Sequence, residues 1–157
     1  MSFFTDAYWN KFHTILFRLF EAPTEADAEK VVDDAVVGLL KEVEPLLQDA
    51  SPFFGGSDKL TLAEVSDRSC ICGWSATKRI PKVIMGPFVI RAVTLSKHGV
   101  YPTGLNTQIE QKAPNFYKWS SAVCKHTSIT SIFDENVIVA RSRAKRARMR
   151  AAAGLDS

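Results

Sequence analysis

The chain has 157 residues, the length of one domain, and its 46% hydrophobic and 24% charged residues supply a core and exclude a disordered chain. Its net charge of +3 is local in origin: Arg141, Arg143, Lys145, Arg146, Arg148 and Arg150 lie within ten residues free of acids, leaving 14 basic against 17 acidic residues elsewhere. No apolar run approaches the roughly 20 residues of a membrane span, no cationic leader precedes an apolar stretch, and Cys70, Cys72 and Cys124 form no disulfide framework, so a reducing cytoplasmic setting is expected, with nuclear import left open by the basic tail.

Residues 5–21 read as a first helix, with Thr5 or Asp6 as cap and Tyr8, Phe12, Ile15, Leu16, Leu19 and Phe20 at helical spacing. Trp9, His13 and Phe17 widen its apolar surface until little of it is polar. After Ala22-Pro23, Thr24 and Asp27 open a second helix in capping-box register, running to about Gln48, with a kink or local end expected at Pro45.

The stretch from Phe53 to Val65 is the sharpest local signal. Gly55 and Gly56 permit a turn, Thr61 and Glu64 stand in capping-box register, and Leu60 and Val65 can close a hydrophobic staple over the first turn. The helix that follows, from Leu62 through Trp74, has few charges, as a helix at the centre of a helical domain has. Cys70 and Cys72 read as buried thiols, and Asp67 as a carboxylate satisfied locally.

Residues 83–98 form a further apolar segment in which Pro87 suits the first turn and Gly99 the end of a helix. A short helix through Ile109, one opened by Pro114 with Phe116, Trp119, Val123 and Cys124, and one from near Asp134 through the tail complete the chain. Strand alternation and internal repeats are missing. The expected fold is all-α, with six to seven helices: residues 1–140 form the helical domain and 141–157 a basic helix or tail.

The run Phe53-x-Gly55-Gly56-x-x-Lys59-Leu60-Thr61-Leu62-Ala63-Glu64 resembles the capping box and staple of the helical C-terminal domain of glutathione S-transferases, with Glu64 where Asp is usual. Ala113 to Trp119 is similar to a late Pro-x-hydrophobic-x-x-Trp helix of that family, His126-Thr127-Ser128-Ile129 to the turn after it, and Thr130 to Glu135 to fungal members. The resemblance spans roughly residues 5–140. It implies a domain that shapes a hydrophobic electrophile pocket and a dimer interface. The thioredoxin-like domain that holds glutathione in that family has no room before the first helix, so no cofactor is expected unless such a domain is supplied, and no catalysis by this chain alone. The alternative is a non-catalytic interaction module of the same fold, as in translation elongation and tRNA synthetase complexes.

By that resemblance Tyr8, Trp9, Phe12 and His13 line the hydrophobic-substrate pocket; the plainer reading is that they pack in the core. A homodimer through the first two helices, a separate protein partner and hydrophobic small molecules are the expected contacts. His13, His98 and His126 are too scattered to suggest a metal site, and no catalytic constellation emerges. Arg141, Arg143, Lys145, Arg146, Arg148 and Arg150 form a solvated helix by default; contact with nucleic-acid phosphates is the alternative, although the tail has no aromatic residue for base stacking.

Overall fold

Seven helices and no strand make up the described residues of the chain (2–61, 86–131 and 133–155), seen in a computed structural model. The all-α expectation is met. Helix α1 (residues 2–20) begins at Ser2, so Thr5 and Asp6 lie within it and do not cap it. Phe4 belongs to the same buried stripe as Tyr8 and packs edge-on to Trp119 at 5.4 Å. Burying a phenylalanine is worth roughly 1.5–3 kcal/mol and a cap about 1, so packing outweighs the local signal. Within α1, Trp9–His13 form a π turn and Arg18–Phe20 a 3-10 turn.

Helix α2 (residues 25–47) starts as expected. The Thr24 hydroxyl accepts from the Asp27 amide at 3.1 Å and donates to the Asp27 carboxylate at 2.6 Å. Towards Pro45 the backbone passes through a π turn, Leu39–Val43, into a 3-10 turn, Glu44–Leu47, a path that accommodates a residue with no amide. Helices α1 and α2 pack antiparallel, and their π turns meet at the crossing. Gly38 there lies so close to the Lys11 carbonyl that a Cβ would stand 2.1 Å from its oxygen.

The loop that follows turns at Gly55 and Gly56, both with positive φ (68° and 73°), as expected. Leu60 is half-buried against the core and Thr61 follows it outside any helix. Glu64 and Val65, and with them the capping box, the staple and the central helix, lie outside the described residues.

Helix α3 (Gly86–Lys97) carries Pro87 in its first turn and ends at Gly99, whose φ of 67° suits glycine. The Gly99 amide donates to the Ser96 carbonyl at 3.1 Å and the Val100 amide to that of Leu95 at 2.8 Å, which satisfies two orphan carbonyls. Around α3 stand α4 (Gly104–Lys112), α5 (Pro114–Lys125), the single turn α6 (Thr127–Thr130) and α7 (Glu135–Ala152). Asp134 caps α7 by accepting from the Val137 amide at 3.0 Å, and the helix continues through residues 140 and 141 without a break. Tyr8, Phe12, Phe116 and Trp119 are fully buried at the centre of the core.

One joint comes from residues distant in sequence. Glu44, at the end of α2, accepts from the amides of Asn115 (2.9 Å) and Phe116 (2.8 Å) in the first turn of α5. A carboxylate suits a helix N-terminus, where amides lack intrahelical partners and the dipole is positive. Glu44→Ala is expected to cost about 2–3 kcal/mol and Glu44→Gln less, because the amide keeps one acceptor. Urea denaturation of the two variants checks this; equal stability to the parent would show that the joint contributes nothing.

Candidate functional site

The π turn of α1 builds the candidate site. A widened turn, in which the Thr14 amide donates to the Trp9 carbonyl five residues back, gathers Tyr8, Trp9 and His13 on adjoining surfaces. The Tyr8 and His13 rings stack with centroids 6.0 Å apart and planes 22° apart. Around the imidazole stand Trp9 at 4.8 Å, Phe88 at 5.0 Å and Phe17 at 5.1 Å, the last two edge-on. Tyr8 and Phe12 face the other way, onto Phe116 at 6.2 and 5.5 Å. Of the four expected site residues, Tyr8, Phe12 and His13 are buried and Trp9 is half-buried, so the structure brings them together as a packed wall and not as an open pocket floor. A void of about 10 Å³ beside Tyr8, Phe12 and Phe116 has room for about one water molecule.

The electrostatics of this wall are unusual. Neither ring nitrogen of His13 and not the Tyr8 hydroxyl has a hydrogen-bond partner among the described residues. Burial, aided by the positive charge of Arg91, pushes the His13 pKa down to about 3, so the imidazole is neutral at physiological pH. Burial also holds the Tyr8 phenol well above its ordinary range, where it keeps its proton. A neutral imidazole offers one donor and one acceptor, and leaving such groups unpaired in the interior costs about 1–3 kcal/mol each. Buried polar groups in native proteins are nearly always paired, so three unpaired atoms in one cluster call for a partner.

The other histidines do different work. His98, following α3, meets Glu135 in the first turn of α7 at 2.5 Å, with the Lys97 ammonium 3.4 Å from the same carboxylate. The His98 contact, then Lys97, hold the Glu135 carboxyl below its usual range. His126 caps α6 by accepting from the Ser128 amide at 3.3 Å. No group of three or more His, Cys, Asp or Glu among the described residues is arranged to hold a metal ion.

The basic residues of α7 turn largely inward. Arg143 donates to the His98 carbonyl (3.1 Å), Arg146 to that of Val100 (2.9 Å), and Arg150 to those of Ala22 and Pro23 (3.3 Å each). Lys145 lies 4.9 Å from the centroids of both Phe17 and Phe20. Arg141 and Arg148 are exposed. Four of the six cations therefore fasten α7 to the ends of α1 and α3, an assignment that spacing alone does not reveal. Arg146→Ala is expected to lower stability by about 1–2 kcal/mol, read as a shift in thermal midpoint, while Arg148→Ala changes it by less than about 0.5.

No helix among the described residues is long and apolar enough to cross a membrane. Comparison with known proteins gives no match: no family model, no curated protein and no solved structure is similar to the chain.

Proposed function

We propose that the chain is a helical binding domain of the glutathione S-transferase C-terminal type, which holds a hydrophobic small molecule against α1 and supplies no nucleophile of its own. One observation carries this reading. The aromatic wall of Trp9, His13, Phe17 and Phe88 contains a neutral imidazole and, next to it, a phenol, both without hydrogen-bond partners among the described residues. Apolar lining with a few convergent polar groups is the composition of a small-molecule site. Trp9, Phe17 and Phe88 are all half-buried, so they are the rings that must part to admit a ligand. The chemistry of a complete transferase, in which a thiolate attacks an electrophile, would require a thioredoxin-like partner domain to bind glutathione and activate its thiol. Here burial pushes the half-buried Cys124 thiol up to about 11, so it is not a thiolate at neutral pH.

The test is a titration with an aromatic electrophile, 1-chloro-2,4-dinitrobenzene, followed by Trp9 fluorescence against a Trp9→Phe control, together with calorimetry with glutathione. Saturable quenching that weakens about tenfold in His13→Phe, with no heat from glutathione and no conjugation, is the expected result. Conjugation by the chain alone would overturn the non-catalytic reading. Absence of quenching would overturn the pocket.

A second reading, a protein-interaction module that forms a homodimer, is favoured by two side chains. Phe3 on α1 and Val37 on α2 are 65% and 62% exposed, both on the helices through which the dimer is expected. Light scattering of the parent against a Phe3→Ser, Val37→Lys double variant tests the interface that this reading needs: a dimer that becomes a monomer places it at these two side chains, and a monomeric parent removes the homodimer.

A further inference from the structure

We infer that the groove between α3, α4 and α5 is a second binding site, taking an elongated apolar molecule with an anionic end, such as an aryl carboxylate or sulfonate. This inference does not rest on the reading of α1. The groove encloses about 340 Å³, within the size range of small-molecule sites. Val93, Ile109 and Phe116 give it an apolar lining, and Cys124 adds a half-buried thiol. Asn106 stands in its wall with the amide nitrogen donating to the Val93 carbonyl at 3.2 Å, and none of the described hydrogen bonds uses its amide oxygen. Four residues, Val93, Asn106, Ile109 and Phe116, line both this groove and the void beside Tyr8, so the groove is backed by the core and is not a surface crease.

Charge sets the occupant and its direction. Tyr117 pairs with Glu110 towards one end, where the carboxylate raises the phenol pKa. Lys125 lies towards the other end, in the last turn of α5, and makes no ion pair among the described residues. Eight residues separate Tyr117 from Lys125, a rise of about 12 Å along a helix. The ammonium carries a full charge against the roughly half charge of the helix C-terminus beneath it, so this end attracts anions on balance. Glu110 repels them from the opposite end. An apolar body of about 12 Å with its anion at Lys125 fits both conditions, and the reversed orientation places like charges together.

Anilinonaphthalene sulfonate, an apolar anionic dye, is the probe, used with the intact chain. The expected result is one saturable site whose dissociation constant rises about tenfold in Lys125→Glu and in Ser121→Trp, the second filling the groove from α5. Lys125→Gln gives a smaller rise, and because Lys125 is exposed this variant keeps the fold. Saturating dye also slows alkylation of Cys124 by iodoacetamide about fivefold, read by peptide mapping so that Cys70 and Cys72 do not interfere. His13→Phe leaves dye binding unchanged while it weakens the α1 ligand, which separates failure of one site from failure of the other. Unchanged affinity in both Lys125 variants, or unchanged Cys124 alkylation at dye saturation, would overturn the inference. So would uptake of several dye molecules insensitive to Ser121→Trp.

Discussion

Between pH 6.5 and pH 3 the protein is expected to lose about 4 kcal/mol of stability through one residue, His13. In the unfolded chain its imidazole takes up a proton near pH 6.5, whereas in the fold burial first, and the charge of Arg91 second, delay uptake until about pH 3. Between those values the unfolded state binds one proton more than the folded state, so stability falls as pH falls. The penalty is absent above pH 6.5, grows by about 1.4 kcal/mol per pH unit, and amounts to about 2 kcal/mol at pH 5. Asp27 and Glu135 also destabilise in acid, because their folded pKa values lie below the ordinary ones and their stabilisation disappears as pH falls through the folded values. Both carboxylates are present in His13→Phe, so the difference between the parent and this variant isolates the imidazole. Urea unfolding at a series of pH values should find His13→Phe at least as stable at pH 7.5, because an apolar ring needs no partner, and more stable by about 3 kcal/mol at pH 4.5. Parallel pH profiles would mean that the folded imidazole is protonated or solvated. A variant that gains stability while losing ligand affinity would be the signature of a polar group retained for binding.

Signals confined to a few neighbouring residues were legible in the sequence. Thr24 with Asp27, Gly99, Pro114 and Asp134 each mark a helix end by their own chemistry, and each marks one in the structure. The joint at Glu44 was not legible, because its two amide partners lie 71 and 72 residues away and nothing local distinguishes this glutamate from Glu42. The arginines of α7 were legible as a charged helix but not as fasteners, since the carbonyls they reach, at Ala22, Pro23, His98 and Val100, converge only after folding. Thr5 and Asp6 misplaced the start of α1 because burial of Phe4 outweighs a cap. For Tyr8, Trp9, Phe12 and His13, spacing allowed packing or a pocket. The structure packs them yet gives two polar groups among them no hydrogen-bond partner among the described residues. The groove at Cys124 had no sequence signal of its own, since its lining comes from three helices, each with an ordinary apolar stripe.

The π turn that shapes this wall depends on Gly38, and Gly38→Ala is the substitution expected to damage the fold most directly. In an exposed helix interior alanine is favoured over glycine by about 1 kcal/mol, so propensity alone predicts a gain. Here the added Cβ would stand 2.1 Å from the Lys11 oxygen and 3.2 Å from its carbonyl carbon. Both are backbone atoms within the turn Trp9–His13 and cannot swing aside as a side-chain tip would. The helices must separate, and the steric cost exceeds the propensity gain, for a net loss of about 2–3 kcal/mol, or roughly 8 °C in thermal midpoint for a chain of this length. The displacement also reaches the site, because Lys11 lies between the stacked rings of Tyr8 and His13 in sequence and shares their turn. Near-ultraviolet circular dichroism should therefore change in Gly38→Ala below its melting point, as the ring stack around His13 loosens. A destabilised Gly38→Ala with an unaltered aromatic spectrum would show that the crossing supports the fold without setting the geometry of the wall.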